Sequence, residues 1–148
     1  MEGAQMQEFF EIHASTLKEI VETERRLMLI IDAIRIEWPT KEMEVDGNTF
    51  TQLIQLDLEG TTISRDSPIH PETLLDGSFT AEQHDANPDD KLDGYVIPAS
   101  LRSAEGVRLV LQGMTKNWED YVTLEITAQS MRLTKLGEPQ YLDKIPAK

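Results

Sequence analysis

The densest run of potential metal or acid–base groups is His84-Asp85-Ala86-Asn87-Pro88-Asp89-Asp90-Lys91-Leu92-Asp93-Gly94. Asp85, Asn87, Asp89 and Asp93 have the spacing of oxygen-ligand positions 1, 3, 5 and 9 of a calcium loop, with Leu92 at apolar position 8. Such a loop also needs a turning glycine and a terminal bidentate Glu to complete six to eight oxygens. Asp90 and Val96 stand at those two places. The plainer expectation is a solvated, turn-rich loop, or an acidic surface that a basic partner recognises. His13, His70 and His84 show no metal-ligand spacing. The adjacent acids Glu119-Asp120 and Asp89-Asp90 would point to opposite faces of a strand, which disfavours a catalytic pair. There is no Gly-x-Ser-x-Gly elbow, no phosphate-cradling glycine loop and no His-Glu-x-x-His. Cysteine is absent, which removes disulfides, cysteine-held zinc or iron–sulfur sites and a thiol nucleophile. The chain is therefore expected to be no enzyme and to need no cofactor or metal.

Charge gives the next constraint. Asp plus Glu number 27 and Lys plus Arg 14, a net charge of −13 over 148 residues. Nucleic acid and anionic membranes repel such a chain, so a protein partner is expected. Residues 66–94 hold eight acidic residues and one Lys, so over half of the excess charge sits in a fifth of the length. The first residues lack a signal peptide's basic start and apolar middle, and no apolar run is long enough to span a bilayer. A cytoplasmic protein is the expectation.

The length suggests a single domain over 1–148. Met6, Phe10, His13, Leu17, Ile20, Glu24, Leu27, Ile31, Ile34 and Trp38 alternate at spacings of four and three, a heptad seam. With no Pro or Gly, residues 5–37 are expected to form one long N-terminal helix, ended by Trp38-Pro39. At 1.5 Å per residue it would be roughly 50 Å long, enough to protrude and dock on another chain. Lys41–Val45 and Asn48–Leu58 read as a hairpin around Asp46-Gly47, followed by a short strand at Thr61–Arg65. Residues 66–94, with Pro68, Pro71, Pro88, Gly77 and Gly94, read as a long acidic loop that binds a partner rather than supporting the fold. In the strand–helix–strand region 95–137, Tyr95–Pro98 is a short strand. Ser103 caps a helix bearing Val107, Val110, Leu111 and Met114, and Tyr121–Thr127 and Met131–Leu136 are two further strands. The expected class is α+β: a long helix on a mainly antiparallel sheet.

Two resemblances follow. Met131-Arg132-Leu133-Thr134-Lys135-Leu136-Gly137 is similar to the wing strand of winged-helix DNA-binding domains. Only Arg102 and Arg108 accompany it on the expected preceding helix and its flank, too few for phosphate contact. The combination of small size, acidity, absent cysteine and absent catalytic motifs resembles the immunity proteins that protect bacteria from polymorphic toxins. Within that class, 6–14 (MQEFFEIHA) and 114–122 (MTKNWEDYV) look like TriTu-type antitoxins, which neutralise an ADP-ribosyltransferase toxin. The resemblance implies a protein that occupies a basic toxin's active-site or substrate cleft. Carboxylates would mimic phosphate there, and aromatic side chains would anchor the complex. Asp85, Asp89, Asp90, Asp93, Trp118, Glu119 and Asp120 are the expected contact residues, with Trp38 and Tyr121 as further anchor candidates. The alternative is a structural or assembly adaptor acting through the long helix, with homo-oligomerisation left open.

Overall fold

A computed structural model describes residues 7–39, 46–87, 92 and 94–146. Its described elements are all strands: β1 (Gln7–Thr23), β2 (Arg26–Trp38), β3 (Gly47–Glu59), β4 (Thr62–Arg65), β5 (Thr73–His84), β6 (Val96–Pro98), β7 (Ser103–Met114), β8 (Tyr121–Lys135) and β9 (Gln140–Ile145). Six of them, in the order β1-β2-β3-β8-β7-β5, close an antiparallel barrel. This overturns the α+β expectation.

The long helix over 5–37 is instead the β1–β2 hairpin. Register runs from Gln7↔Trp38 to Thr23↔Arg26, so Glu24 and Arg25 make the turn, with Arg25 at φ 58°. The heptad spacing misleads because β2 is apolar on both faces. Leu27, Leu29, Ile31 and Ala33 are buried at every second position, while Met28, Ile30, Ile34 and Ile36 between them are half-buried. Branched Ile fits a pleated, doubly covered strand better than a helix. With the helix goes the reading of an adaptor that works through it.

Alternation builds the core. Ile54, Leu56 and Leu58 on β3, Val107, Leu109 and Leu111 on β7, and Leu124, Ile126 and Met131 on β8 all point inward, meeting Phe10 and Phe79. The barrel is filled by side chains rather than hollow. β3 and β4 form one bent staircase along β8: Leu58↔Met131 and Thr62↔Thr127 keep the same register across the break. Gly60 makes the corner at φ 65°, a left-handed conformation that glycine adopts without a Cβ penalty. Arg25 O accepts both the Gly60 and the Thr61 N–H there.

The closing seam between β5 and β1 is thin. It consists of the Thr16↔Thr73 pair and the Leu17 N–H donated to Glu72 O. β6 fills the remaining gap by pairing with Phe9–Glu11, and His13 Nδ1 lies 2.8 Å from Leu75 O across it. Ala14, at φ 69°, bends β1 away where the register shifts.

Three further readings are corrected. Residues 73–84 of the presumed acidic loop are β5, a stave of the barrel pairing with β7 from Thr73↔Met114 to His84↔Ala104. The presumed helix at Ser103–Met114 is strand β7, whose Val107, Leu109 and Leu111 alternate; Val110 and Met114 fall on the other face. Tyr121–Lys135 is one continuous strand, not two. The short strands at Thr62–Arg65 and Val96–Pro98 and the long one at Gly47–Glu59 lie where expected. The Lys41–Val45 strand lies outside the described residues.

Candidate functional site

The hairpin between β7 and β8 ends in a short, tightly bonded tip. Thr115 N–H donates to Asp120 O at 3.0 Å, and Trp118 N–H donates to Thr115 O at 2.9 Å. The buried Thr115 hydroxyl accepts the Asp120 N–H at 3.3 Å. This places Trp118 at φ 58°, left-handed backbone that costs a bulky L-residue about 1 kcal/mol or more. Its indole is 59% exposed. Glu119 and Asp120 follow it in solvent, and Tyr121 after them is 51% exposed.

The β4–β5 loop supports this tip. Asp66 Oδ1 accepts the Thr123 N–H at 2.9 Å, and Glu72 N–H donates to Met114 O at 2.8 Å. The loop therefore bridges the bases of β7 and β8 and presents Ile69, 53% exposed, at the same end of the barrel. Within it, burial and then the Arg65 charge hold the His70 imidazole below its ordinary pKa, against the pull of Glu22. This end of the barrel thus exposes Ile69, Trp118 and Tyr121 on the same loops as Asp66, Glu72, Glu119 and Asp120.

Of the other expected contact residues, Asp85 does a different job. Its Oδ1 accepts the Arg102 and Ser103 N–H groups, each at 3.0 Å, and its Oδ2 lies 3.7 Å from Arg102 Nε. The carboxylate ties the end of β5 to the start of β7. Burial would raise its pKa, but the Ser103 and Arg102 N–H groups and the Arg102 charge outweigh that and hold it below the usual carboxylate range. A lowered folded-state pKa stabilises the fold above the unfolded value near 3.9, and that share is lost as pH falls through the folded value. Asp85→Ala is expected to lower stability by about 1 kcal/mol, a modest figure because the group is partly solvated. Urea unfolding at pH 7 and pH 3 checks it: the wild-type/variant gap should narrow at the lower pH. Asp89, Asp90 and Asp93 lie outside the described residues. Among the described residues no group of three or more His, Asp or Glu is placed to hold a metal ion.

Trp38 is not an anchor. It is 2% exposed and packs with Phe9 and Val96 in a small second core. Sequence reasoning missed Ile69, which no periodicity marks, and the concave surfaces at the opposite end of β8. One is an acidic cleft of about 540 Å³ on the outer wall, lined by Asp57, Glu59, Glu105, His84 and Arg132. Only the register brings these residues together, through Glu59↔Ser130↔Glu105 and Asp57↔Arg132↔Ser103. No protein-family model, curated protein or solved structure matches this chain.

Proposed function

We propose that this protein is a small, acidic, non-enzymatic inhibitor of the immunity-protein type. In this reading it acts in the bacterial cytoplasm and neutralises a basic toxin domain by inserting its Trp118 tip into the toxin's active-site or substrate cleft. The observation that carries the reading is the strained and exposed Trp118 in a tightly hydrogen-bonded tip, followed directly by two carboxylates. Strain of this kind persists only where the surroundings over-determine it, and it concentrates at ligand-contacting sites. A pre-ordered aromatic loses little conformational entropy on binding. Glu119 and Asp120 are placed to meet Arg or Lys that otherwise hold a phosphate group, through charge-assisted bonds. The net charge of −13 steers encounter with a basic partner.

The test is co-expression with candidate basic toxin domains, sought first among the neighbouring genes. The wild-type chain should rescue growth, and Trp118→Ala should weaken the purified complex by at least about thirtyfold, the scale of a 2 kcal/mol hot spot. Absence of rescue and of a complex would end the proposal. A separate prediction isolates the strain. Trp118→Gly should leave folding stability unchanged or raise it by up to about 1 kcal/mol, because glycine accepts the left-handed backbone. A thermal melt checks this. A clear fall in stability would show that the indole supports the fold instead.

A further inference from the structure

The barrel has two unlike walls. In the closed order β1-β2-β3-β8-β7-β5, β2 and β7 stand three strands apart in either direction, so their outer faces look away from each other. The outward residues of β7 include Ser103, Glu105, Arg108, Val110 and Gln112, the mostly polar set of a wall that faces water. On β2 the outward residues Met28, Ile30, Asp32 and Ile34 interleave with the buried Leu27, Leu29, Ile31 and Ala33. A strand this apolar on both sides has the pattern of one covered on both faces. Its outer side chains are only half-buried. Register widens the strip. Exposed Val21 lies across from Met28, and exposed Leu53 lies across from Asp32, between the rows of Ile30 and Ile34. Ile36, the next outward residue, already packs against the second core at Trp38, so the uncovered strip ends at Ile34. Carboxylates edge it. Asp32 stands within the strip, Asp57 lies across from Met28, Glu19 across from Ile30 and Glu11 across from Ile34. The nearest cations are Arg132, one strand further out beyond Asp57, and Lys18 at the register shift beside Glu19.

We infer that the outer face of β2 is a docking surface for an amphipathic helix of a partner protein, one whose apolar face is flanked by Lys or Arg. The dimensions suit a helix. Met28 to Ile34 spans roughly 20 Å, and three strands are about 10 Å across. A helix of about 14 residues has that length and that width. Its apolar face, at positions i, i+3, i+4 and i+7, takes Val21, Met28, Ile30, Ile34 and Leu53 out of water. Charge selects the occupant. Covering the strip buries Asp32, and a buried carboxylate needs a cation or strong hydrogen-bond donors. A second copy of this chain brings the same acids instead, together with a further net charge of −13. A basic helix supplies the cations that Asp32, Glu19 and Asp57 call for, and the field of the whole chain draws it in. The strip lies on β2, whereas Trp118 lies on the β7–β8 hairpin, so this inference does not rest on the reading of the tip.

The probe is a labelled synthetic helix of about 14 residues, Leu on one face and Lys on the other. Fluorescence anisotropy follows its titration with the full chain at 0.15 M NaCl, roughly physiological ionic strength. Saturable binding is expected. Ile30→Thr/Ile34→Thr keeps the β-branching and removes apolar contact, and should weaken binding at least about tenfold. Asp32→Asn should weaken it about threefold or more and flatten the salt dependence, because one ion pair is lost. Val110→Thr on the opposite wall and Trp118→Ala at the tip should each stay within about twofold. Circular dichroism melts keep folding out of the comparison, and Asp32→Asn with the peptide controls decides if the double variant does not fold. A scrambled Leu/Lys peptide without an apolar face and a Leu/Glu helix should both bind at least about tenfold more weakly. No saturable binding of the probe, equal binding of the scrambled peptide, or equal weakening by Val110→Thr would overturn the inference. So would sedimentation of the free chain as a dimer that Ile30→Thr/Ile34→Thr dissociates, since the occupant would then be a second copy.

Discussion

Gly113→Ala should cost at least about 3 kcal/mol, a large part of the 5–15 kcal/mol that holds a domain of this kind together. Gly113 sits on β7 between Leu74 of β5 and Val122 of β8. A Cβ there would overlap the Thr73 carbonyl oxygen and crowd the Leu74 Cα, both backbone atoms that cannot rotate away. The strands must part at the position where β5 also makes its Thr16↔Thr73 pair with β1. The substitution thus acts on the thinnest join of the barrel. Gly137→Ala is the control, because an added Cβ meets nothing within 4 Å there. It should change stability by no more than about 0.5 kcal/mol. Urea unfolding of the two variants side by side measures the difference. Equal, small effects would mean that β5 does not approach β7 as described.

The second large effect is expected at Arg35. Its side chain is only 10% exposed and closes the barrel end opposite the tip. Nη2 meets Glu8 Oε1, Nε meets Glu37 Oε2, and Nη1 donates to Gln52 Oε1 at 2.7 Å; Gln52 in turn donates to Gly137 O. The guanidinium also lies 5.8 Å from the centre of the buried Phe10 ring. Arg35→Ala leaves two carboxylates facing each other and opens a hole over Phe10. We expect a loss of about 2–3 kcal/mol, below the cost for a fully buried pair because Glu8 retains water. Arg35→Met combined with Glu8→Gln and Glu37→Gln removes the stranded charges and should recover much of it. Thermal unfolding of the single and triple variants decides. A triple variant no better than Arg35→Ala would show that neither the stranded charges nor the hole over Phe10 sets the cost, and that it lies in the guanidinium's own hydrogen bonds.

How much of this was legible in the sequence depends on which signal a segment carries. β3 was readable because Ile54, Leu56 and Leu58 alternate with polar residues, and Thr62–Arg65 and Val96–Pro98 because apolar residues lie next to glycine, proline or bends. The β1–β2 hairpin was not readable. Its turn, Glu24-Arg25, has none of the residues that supply positive φ cheaply, and β2 carries apolar residues on both faces, which erases a period of two. The same erasure hid β7, where Val110 and Met114 add a helical spacing to a strand. β5 was masked by composition: Asp76, Glu82 and Gly77 read as loop, although Leu74 and Phe79 lie at the centre of the core. Of the candidate site, Trp118, Glu119 and Asp120 are consecutive in the sequence, and the structure adds that their hairpin tip is exposed. That Asp85 clamps β7 is not legible locally, because its partners Arg102 and Ser103 lie 17 and 18 residues away.

The chain has two tryptophans, one buried at position 38 and one exposed at position 118. Steady-state fluorescence with acrylamide quenching therefore reports on the tip directly, against a constant inner signal from Trp38. The most direct measurement titrates the protein with a tryptophan-free form of whichever basic toxin domain it neutralises on co-expression. Insertion of the tip predicts a blue shift, loss of the quenchable fraction as the complex saturates, and neither change in Trp118→Ala. A complex that forms with full affinity while Trp118 stays as quenchable as in the free chain would contradict the account.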